Sequence, residues 1–246
     1  MIFVRALWGD ESVCTYTKTL SDILQRSDRL DDADLCAVGY GAHNAAFLLE
    51  QGYKHVLSLP DEPPAEYRQI NPQRPTPVSK RRPGTIKNGI MMWWRKLQAI
   101  RAVMTNHHVD EVIWLDWDTR VLRRPDEALY ALLRAGPPLQ SAECPWKKPR
   151  APWRTGSHAK WAFHGGCYYV RGLDLINQAI ALHAGEWAQY TDETVMTWLA
   201  DHELAEQACE NTRFYRCRKI KPGTDVSQAY FMEGDVFHWK DVKAHA

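Results

Sequence analysis

The sequence predicts an α/β protein, one domain with a mostly parallel central sheet and two long proline-rich insertions. Three observations predict it. Short apolar runs alternate with segments of helical spacing, the pattern of parallel strands joined by crossover helices. One of those runs, "EVIWLDWD", is apolar throughout and ends abruptly in acid, as a central strand does when it delivers polar groups to the carboxyl edge of an open sheet. The alternation then fails twice, from about 60 to 84 and from about 144 to 156, in proline-rich polar sequence that reads as inserted loop. The 246 residues, 45% of them hydrophobic, suffice for one sizeable core, so the domain is expected to span 1–246.

The elements follow in order. "IFVRALWG" reads as a short strand released by a Trp-Gly turn, and the polar stretch from Thr15 to Arg26 has helical spacing with Leu20, Ile23 and Leu24 on one side. "LCAVGYG" predicts a second strand, "NAAFLLEQG" a helix closed by Gly52, and "HVLSLP" a third strand. Seven prolines between Pro60 and Gly84 make that stretch a surface loop. From Gly89 to Met104 a helical face of Ile90, Trp93, Trp94, Leu97, Ile100 and Met104 returns, followed by the central strand. "PDEALYALLRAG" is a helix with Pro125 near its start and Gly136 at its stop. After the second insertion come a strand in "KWAFHGGCYYV", a helix from about Leu173 to Ala184, and a helix beginning at "DETVMTWL" with an acidic cap. Short strands and turns fill 213–246. "VGYGAHNA" has Gly39 and Gly41 but Asn44 where a dinucleotide fingerprint needs a third glycine, so it reads as a strand-to-helix turn.

Composition narrows the function. With 31 Lys and Arg against 30 Asp and Glu, the whole chain is no polyanion trap, and any electrostatic preference is local. The six cysteines contain no CxxC pair and read as reduced thiols. No apolar stretch is long enough for a transmembrane helix, and the start lacks the basic and apolar regions of a signal peptide, so a cytoplasmic location is expected. Charge is nevertheless segregated. Nine Arg or Lys and no acid lie between Glu66 and Asp110, and six and no acid between Glu143 and Asp174. Together with Arg213, Arg216, Arg218, Lys219 and Lys221, these stripes around one acidic strand end predict a site for an anionic ligand.

The acids themselves are Asp116 and Asp118. Two residues apart on an extended backbone, they point to the same side, and a divalent cation bridged to a diphosphate would relieve their repulsion. In "KLQAIRAVMTNHHVDEVIWLDWDTRVLRRPDEAL" this pair, the preceding Lys96-Leu97 and the continuation through Thr119, Val121, Leu122, Asp126, Glu127 and Leu129 resemble the donor-binding core of metal-dependent glycosyltransferases of GT-A fold, especially the glycogenin-like and bacterial galactosyltransferase-like group. "FHGGCYYV" is similar to that group's Phe-Asn-Ser/Ala-Gly strand, with His164 at the Asn position and Gly166 at the Gly position. "TDETVMTWL" resembles its Asp-Gln-Asp/Gly helix start, and "VFHWKDVKA" its late His segment.

The resemblance implies a GT-A-like domain that transfers a sugar from a nucleotide-sugar, UDP-linked, to a hydroxyl acceptor with the help of Mn2+ or Mg2+, in the retaining manner of that group. It implies that Asp116 contacts the ribose and the metal, that Asp118 and His238 bind the metal, and that Lys96 addresses the donor phosphates or sugar. Asp192 would hold sugar hydroxyls, and the strand end around Ala6, Leu7 and Trp8 would receive the base. For the phosphate-binding lysine of the tail, Lys240 and Lys243 are equal candidates, because Lys243 comes one position early and His238 is not followed by the group's usual Gly. If the reaction inverts, Asp192 or Glu193 is the candidate base for the acceptor hydroxyl.

The acceptor is expected to be a carbohydrate, a lipid-linked sugar or a polymeric anion held by the basic insertions, Arg74 to Arg82 and Trp146 to Arg154, with Trp146 and Trp153 available for stacking. Nucleic acid is the further acceptor such basic, Trp-rich loops allow, through glycosylation of a modified DNA base. Three rivals share part of the pattern: a nucleotidyltransferase, a non-enzymatic nucleic-acid-binding module, and a haloacid-dehalogenase-like phosphatase. Against the phosphatase, Arg120 stands where Thr or Val is wanted, and more than a hundred residues precede Asp116.

Overall fold

The computed structural model describes residues 1–8, 30, 34–67, 86–87, 90–91, 94–117, 119–143, 163–185, 192–202, 208–211, 213–216 and 227–233. In chain order the elements are β1 (Ile2–Leu7), β2 (Leu35–Tyr40), α1 (Ala42–Glu50), β3 (His55–Leu59), a 3-10 turn (Ala65–Tyr67), β4 (Ile86–Lys87), β5 (Ile90–Met91), α2 (Trp94–His107), β6 (Glu111–Leu115) and β7 (Thr119–Val121). There follow α3 (Glu127–Ala135), β8 (Leu139–Glu143), β9 (Phe163–Arg171), α4 (Leu173–Ala184), α5 (Asp192–His202), β10 (Ala208–Glu210), β11 (Phe214–Arg216) and β12 (Phe231–Glu233).

A seven-stranded sheet in the order β10-β8-β9-β6-β1-β2-β3 forms the centre, with β6 in the middle. Strands β6, β1, β2 and β3 are parallel neighbours, whereas β9 runs antiparallel to both β6 and β8. Alternation along β1 shows why the strand sits in the interior. Val4 and Ala6 join the core under α2, α4 and α5, while Phe3 and Leu7 join the cores on the opposite face, where α1, α3 and a small sheet β11-β12-β7 pack. Helix α3 starts as its sequence requires: Asp126 caps it by accepting from Leu129 N–H at 2.8 Å, and Gly136 ends it.

Most of the expected order is present, with four differences. The helix expected from Gly89 begins at Trp94, because Ile86–Lys87 and Ile90–Met91 pair antiparallel as a short ribbon. Strand β8 has no counterpart in the sequence reading, since "LQSAE" mixes polar residues into a strand buried on both faces. Its Gln140 and Ser141 are buried and hydrogen-bonded. Strand β9 departs from the expected parallel arrangement, running antiparallel to both its neighbours, β6 and β8. Within the first insertion, where Pro60, Glu62 and Glu66 are exposed, Tyr67 is instead buried against Trp94, with its hydroxyl 3.0 Å from Nδ1 of His183. The expected helix within 15–26 lies outside the described residues. Among the described residues no helix is long and apolar enough to cross a membrane.

Candidate active site

The carboxyl ends of β1, β2, β3 and β6 share one edge of the sheet, and the candidate site lies where β6 gives out. The strand ends at Leu115, and Asp116 opens a turn closed by Thr119 N–H donating to the Asp116 carbonyl at 2.9 Å. Asp116 thus stands just past the strand end, at the start of a turn, and Asp118 lies outside the described residues. Asp116 is fixed from three directions. Its N–H donates to the Gly166 carbonyl at 2.7 Å, Trp114 Nε1 donates to Oδ1 at 2.8 Å, and Lys96 Nζ lies 2.8 Å from Oδ1 and 2.9 Å from Oδ2.

Lys96 comes from the first turn of α2 and is buried, its Nζ also donating to the Gly165 carbonyl at 3.1 Å and lying 3.8 Å from Oδ2 of Asp192. Burial works against the ammonium, but Asp116 and then Asp192 outweigh it and hold its pKa above the ordinary value. Asp192 opens α5 and is wholly buried, and among the described residues neither of its carboxylate oxygens has a hydrogen-bond partner. Desolvation pushes its pKa up to about 7, although Lys96 pulls the other way. Beside it the buried Tyr168 hydroxyl also lacks a hydrogen-bond partner among the described residues, and burial raises its pKa well above the usual phenol value.

The segment 164–166 reaches this cluster through an irregularity. Between the pairs Ser141↔Tyr168 and Glu143↔Phe163, β9 takes five residue steps where β8 takes two, so the excess chain swells toward the start of α5. Gly165 N–H donates to Oε1 of Glu193 at 3.1 Å. A Cβ at Gly165 would lie 2.7 Å from Cγ of Glu193 and 2.8 Å from Oδ2 of Asp192, so this position admits only glycine without rearrangement. The sequence reading singled out Gly166 instead. Gly166 serves through its backbone, its carbonyl accepting from Asp116 N–H and from Thr119 Oγ1, and its N–H donating to Nδ1 of the buried His164 at 3.1 Å.

Among the other expected residues, the Leu7 side chain fills a core cluster with Ala37 and Leu48 and leaves only backbone to offer a base. Trp8 is half-buried and edge-on to Tyr40. Asp118, His238, Lys240 and Lys243 lie outside the described residues, as do most of both insertions. Among the described residues no three His, Cys, Asp or Glu side chains converge to hold an ion.

Two arginines that the sequence reading left unremarked belong to this edge. Arg95 is buried over the rings of Trp94 and Tyr40 and donates from Nε and Nη2 to Oδ1 of Asp61, at 3.0 and 2.6 Å. Arg5 lies buried under Trp117. Neither could be told from a solvated arginine by sequence, since only tertiary partners distinguish the two.

No protein family and no curated protein matches the chain by sequence. Solved structures do match in shape. The galactosyltransferase LgtC, determined with donor and acceptor sugar analogs, superposes with a TM-score of 0.53 at 13% identity, covering 95% of this chain and 87% of that one. A glycosyltransferase involved in glycosylating the major capsid of PBCV-1 gives a TM-score of 0.50 at 11% identity, covering 94% and 91%. The fold is that of the GT-A glycosyltransferases. The chain resembles the galactosyltransferase LgtC in fold over nearly its whole length.

Proposed function

We propose that the chain is a glycosyltransferase that moves a sugar from a nucleotide-sugar, UDP-linked, to a hydroxyl acceptor, with Mn2+ or Mg2+ held by Asp116, Asp118 and His238. The observation that carries this reading is the Lys96, Asp116 and Asp192 cluster at the carboxyl end of the central strand, on a fold shared with sugar transferases. The proposed ligands suit a divalent ion by chemistry, carboxylate oxygens with one imidazole. They suit it by topology as well. Strand β12 runs antiparallel to β7 with Glu233 opposite Thr119, so the chain leaves the sheet next to the residue that follows Asp118, and His238 comes five residues later.

A bound ion would neutralise charge that grows on the leaving diphosphate. Lys96 adds a fixed, desolvated positive charge aimed at the same region, which acts most strongly when water is excluded. Asp192 holds two buried acceptor oxygens that, among the described residues, accept no hydrogen bond and meet only the Lys96 ammonium at 3.8 Å, a receptor for donor-sugar hydroxyls and the group to take the acceptor proton if the reaction inverts. Glu193 is less free for that task, because its carboxylate accepts from Gly165 N–H.

Lys96→Met tests the assignment, keeping much of the stem and deleting the charge. UDP-sugar affinity measured by calorimetry falls at least about tenfold in the folded variant, as removal of a charge-assisted contact implies. Unchanged affinity with only a shifted melting temperature assigns Lys96 to structure instead.

A further inference from the structure

The turn opened by Asp116 and closed by Thr119 is gripped from behind as well as from the side of Lys96. On β1, Val4 and Ala6 face α2 and the Lys96 cluster, while Arg5 shares the opposite face with Phe3 and Leu7, both of which are core residues. Arg5 is 5% exposed, and among the described residues no carboxylate pairs with it. Nη2 donates to the Thr119 carbonyl at 3.2 Å, and Nε has no hydrogen-bond partner. Its Cζ lies 5.5 Å from the centre of the Trp117 ring. Trp117 in turn donates from Nε1 to the Ala6 carbonyl at 2.7 Å and meets Tyr53 edge-on at 6.0 Å. Residues 117 and 119, on either side of Asp118 in sequence, are thus both tied to β1.

We infer that Arg5 and Trp117 form a strut that sets the 116–119 turn, which makes Arg5 a positioning residue for the proposed metal-binding acids. This inference rests on the metal-site reading above. A residue needed only to fill this face would be apolar like its neighbours Phe3 and Leu7, because a buried guanidinium without a carboxylate is costly. The cation has two conceivable uses, and they predict opposite signs. Acting through charge alone, Arg5 would repel an ion on the far side of the turn, and its removal would tighten metal binding. Acting through geometry, it holds the turn in register, and its removal loosens metal binding. The geometry decides for the second, because its hydrogen bond goes to the backbone carbonyl of Thr119 and its guanidinium carbon lies over the Trp117 ring.

Manganese(II) titrated into the protein, with and without UDP, and followed by electron paramagnetic resonance gives the dissociation constant without requiring turnover. Arg5→Met keeps the melting temperature or raises it, as replacement of a buried ion by an apolar group commonly does, and weakens manganese binding at least about tenfold, the scale of outer-shell losses. Arg5→Lys, which retains the charge but not the planar fork, recovers only part of the affinity. Unchanged or tighter manganese binding in folded Arg5→Met overturns the inference while leaving the metal site standing. Should Arg5→Met not fold, Trp117→Phe keeps a ring over Arg5 and deletes the bond to Ala6. The same loss is then expected, and unchanged affinity overturns the strut. A wild-type chain that binds no manganese under either condition overturns the metal reading itself, and the strut falls with it.

Discussion

Asp192 sits at the start of a helix, where the backbone favours a carboxylate, and yet it is buried beside Glu193 and Asp116, which disfavour one. Burial wins, and the group titrates at about 7 in the folded chain against an ordinary value of 3.8. The consequence for stability has a definite sign. Between about pH 4 and pH 7 the folded chain keeps a proton that the unfolded chain has released, so the contribution of this group is full below the lower value and is lost as pH rises through the upper. Glu66 and Glu111, whose pKa values are lowered, act in the opposite sense and at lower pH. Denaturation midpoints measured across this window, wild type against Asp192→Asn, isolate the effect. Wild type loses stability relative to the variant as pH rises from 4 to 7, and parallel profiles would contradict the buried, proton-holding Asp192.

At the scale of elements, strand register makes the site from distant sequence. β6 delivers Asp116, α2 delivers Lys96, the swelling of β9 delivers the Gly165 carbonyl, and α5 delivers Asp192. The antiparallel pairing of β12 with β7 sets Glu233, the last residue of β12, opposite Thr119, and the proposed metal site takes His238 from the chain that follows. His238→Ala therefore raises the manganese concentration needed for half-maximal activity at least about tenfold while leaving the melting temperature unchanged. A metal-activation curve that superimposes on wild type would remove His238 from the site. These elements were legible to unequal degrees. The apolar run of β6 and the periodic face of α2 announce themselves through side-chain spacing, as does the acidic start of α5. Strand β8 is concealed by Gln140 and Ser141, whose polar groups are satisfied in part by tertiary partners, Asn211 for Gln140 and the His164 N–H for Ser141. Gly165 reads as an ordinary strand glycine until α5 is seen packed against it, and Arg5 hides inside an apolar run because a buried cation leaves no local signature.

Across the whole molecule the near-balance of charge conceals an organised interior. Three members of the first basic stripe are paired in the fold: Arg95 with Asp61, Lys96 with Asp116, and Arg101 with Glu66. That stripe is therefore in part a buried scaffold at the carboxyl edge of the sheet, where a sequence reading sees only surplus cations. Two of the three, Arg95 and Lys96, are adjacent on α2 and tie it to two points of that edge, Asp61 after β3 and Asp116 after β6. What such an edge is built to receive is decided most directly by following UDP-sugar hydrolysis during a manganese titration of wild type and Asp118→Ala. Hydrolysis in wild type is expected to depend on manganese and to be abolished by chelation, and folded Asp118→Ala to lose turnover at least about a hundredfold, the scale for losing transition-state charge stabilisation. Full wild-type activity in chelator, or wild-type turnover in Asp118→Ala, would contradict the proposed metal site.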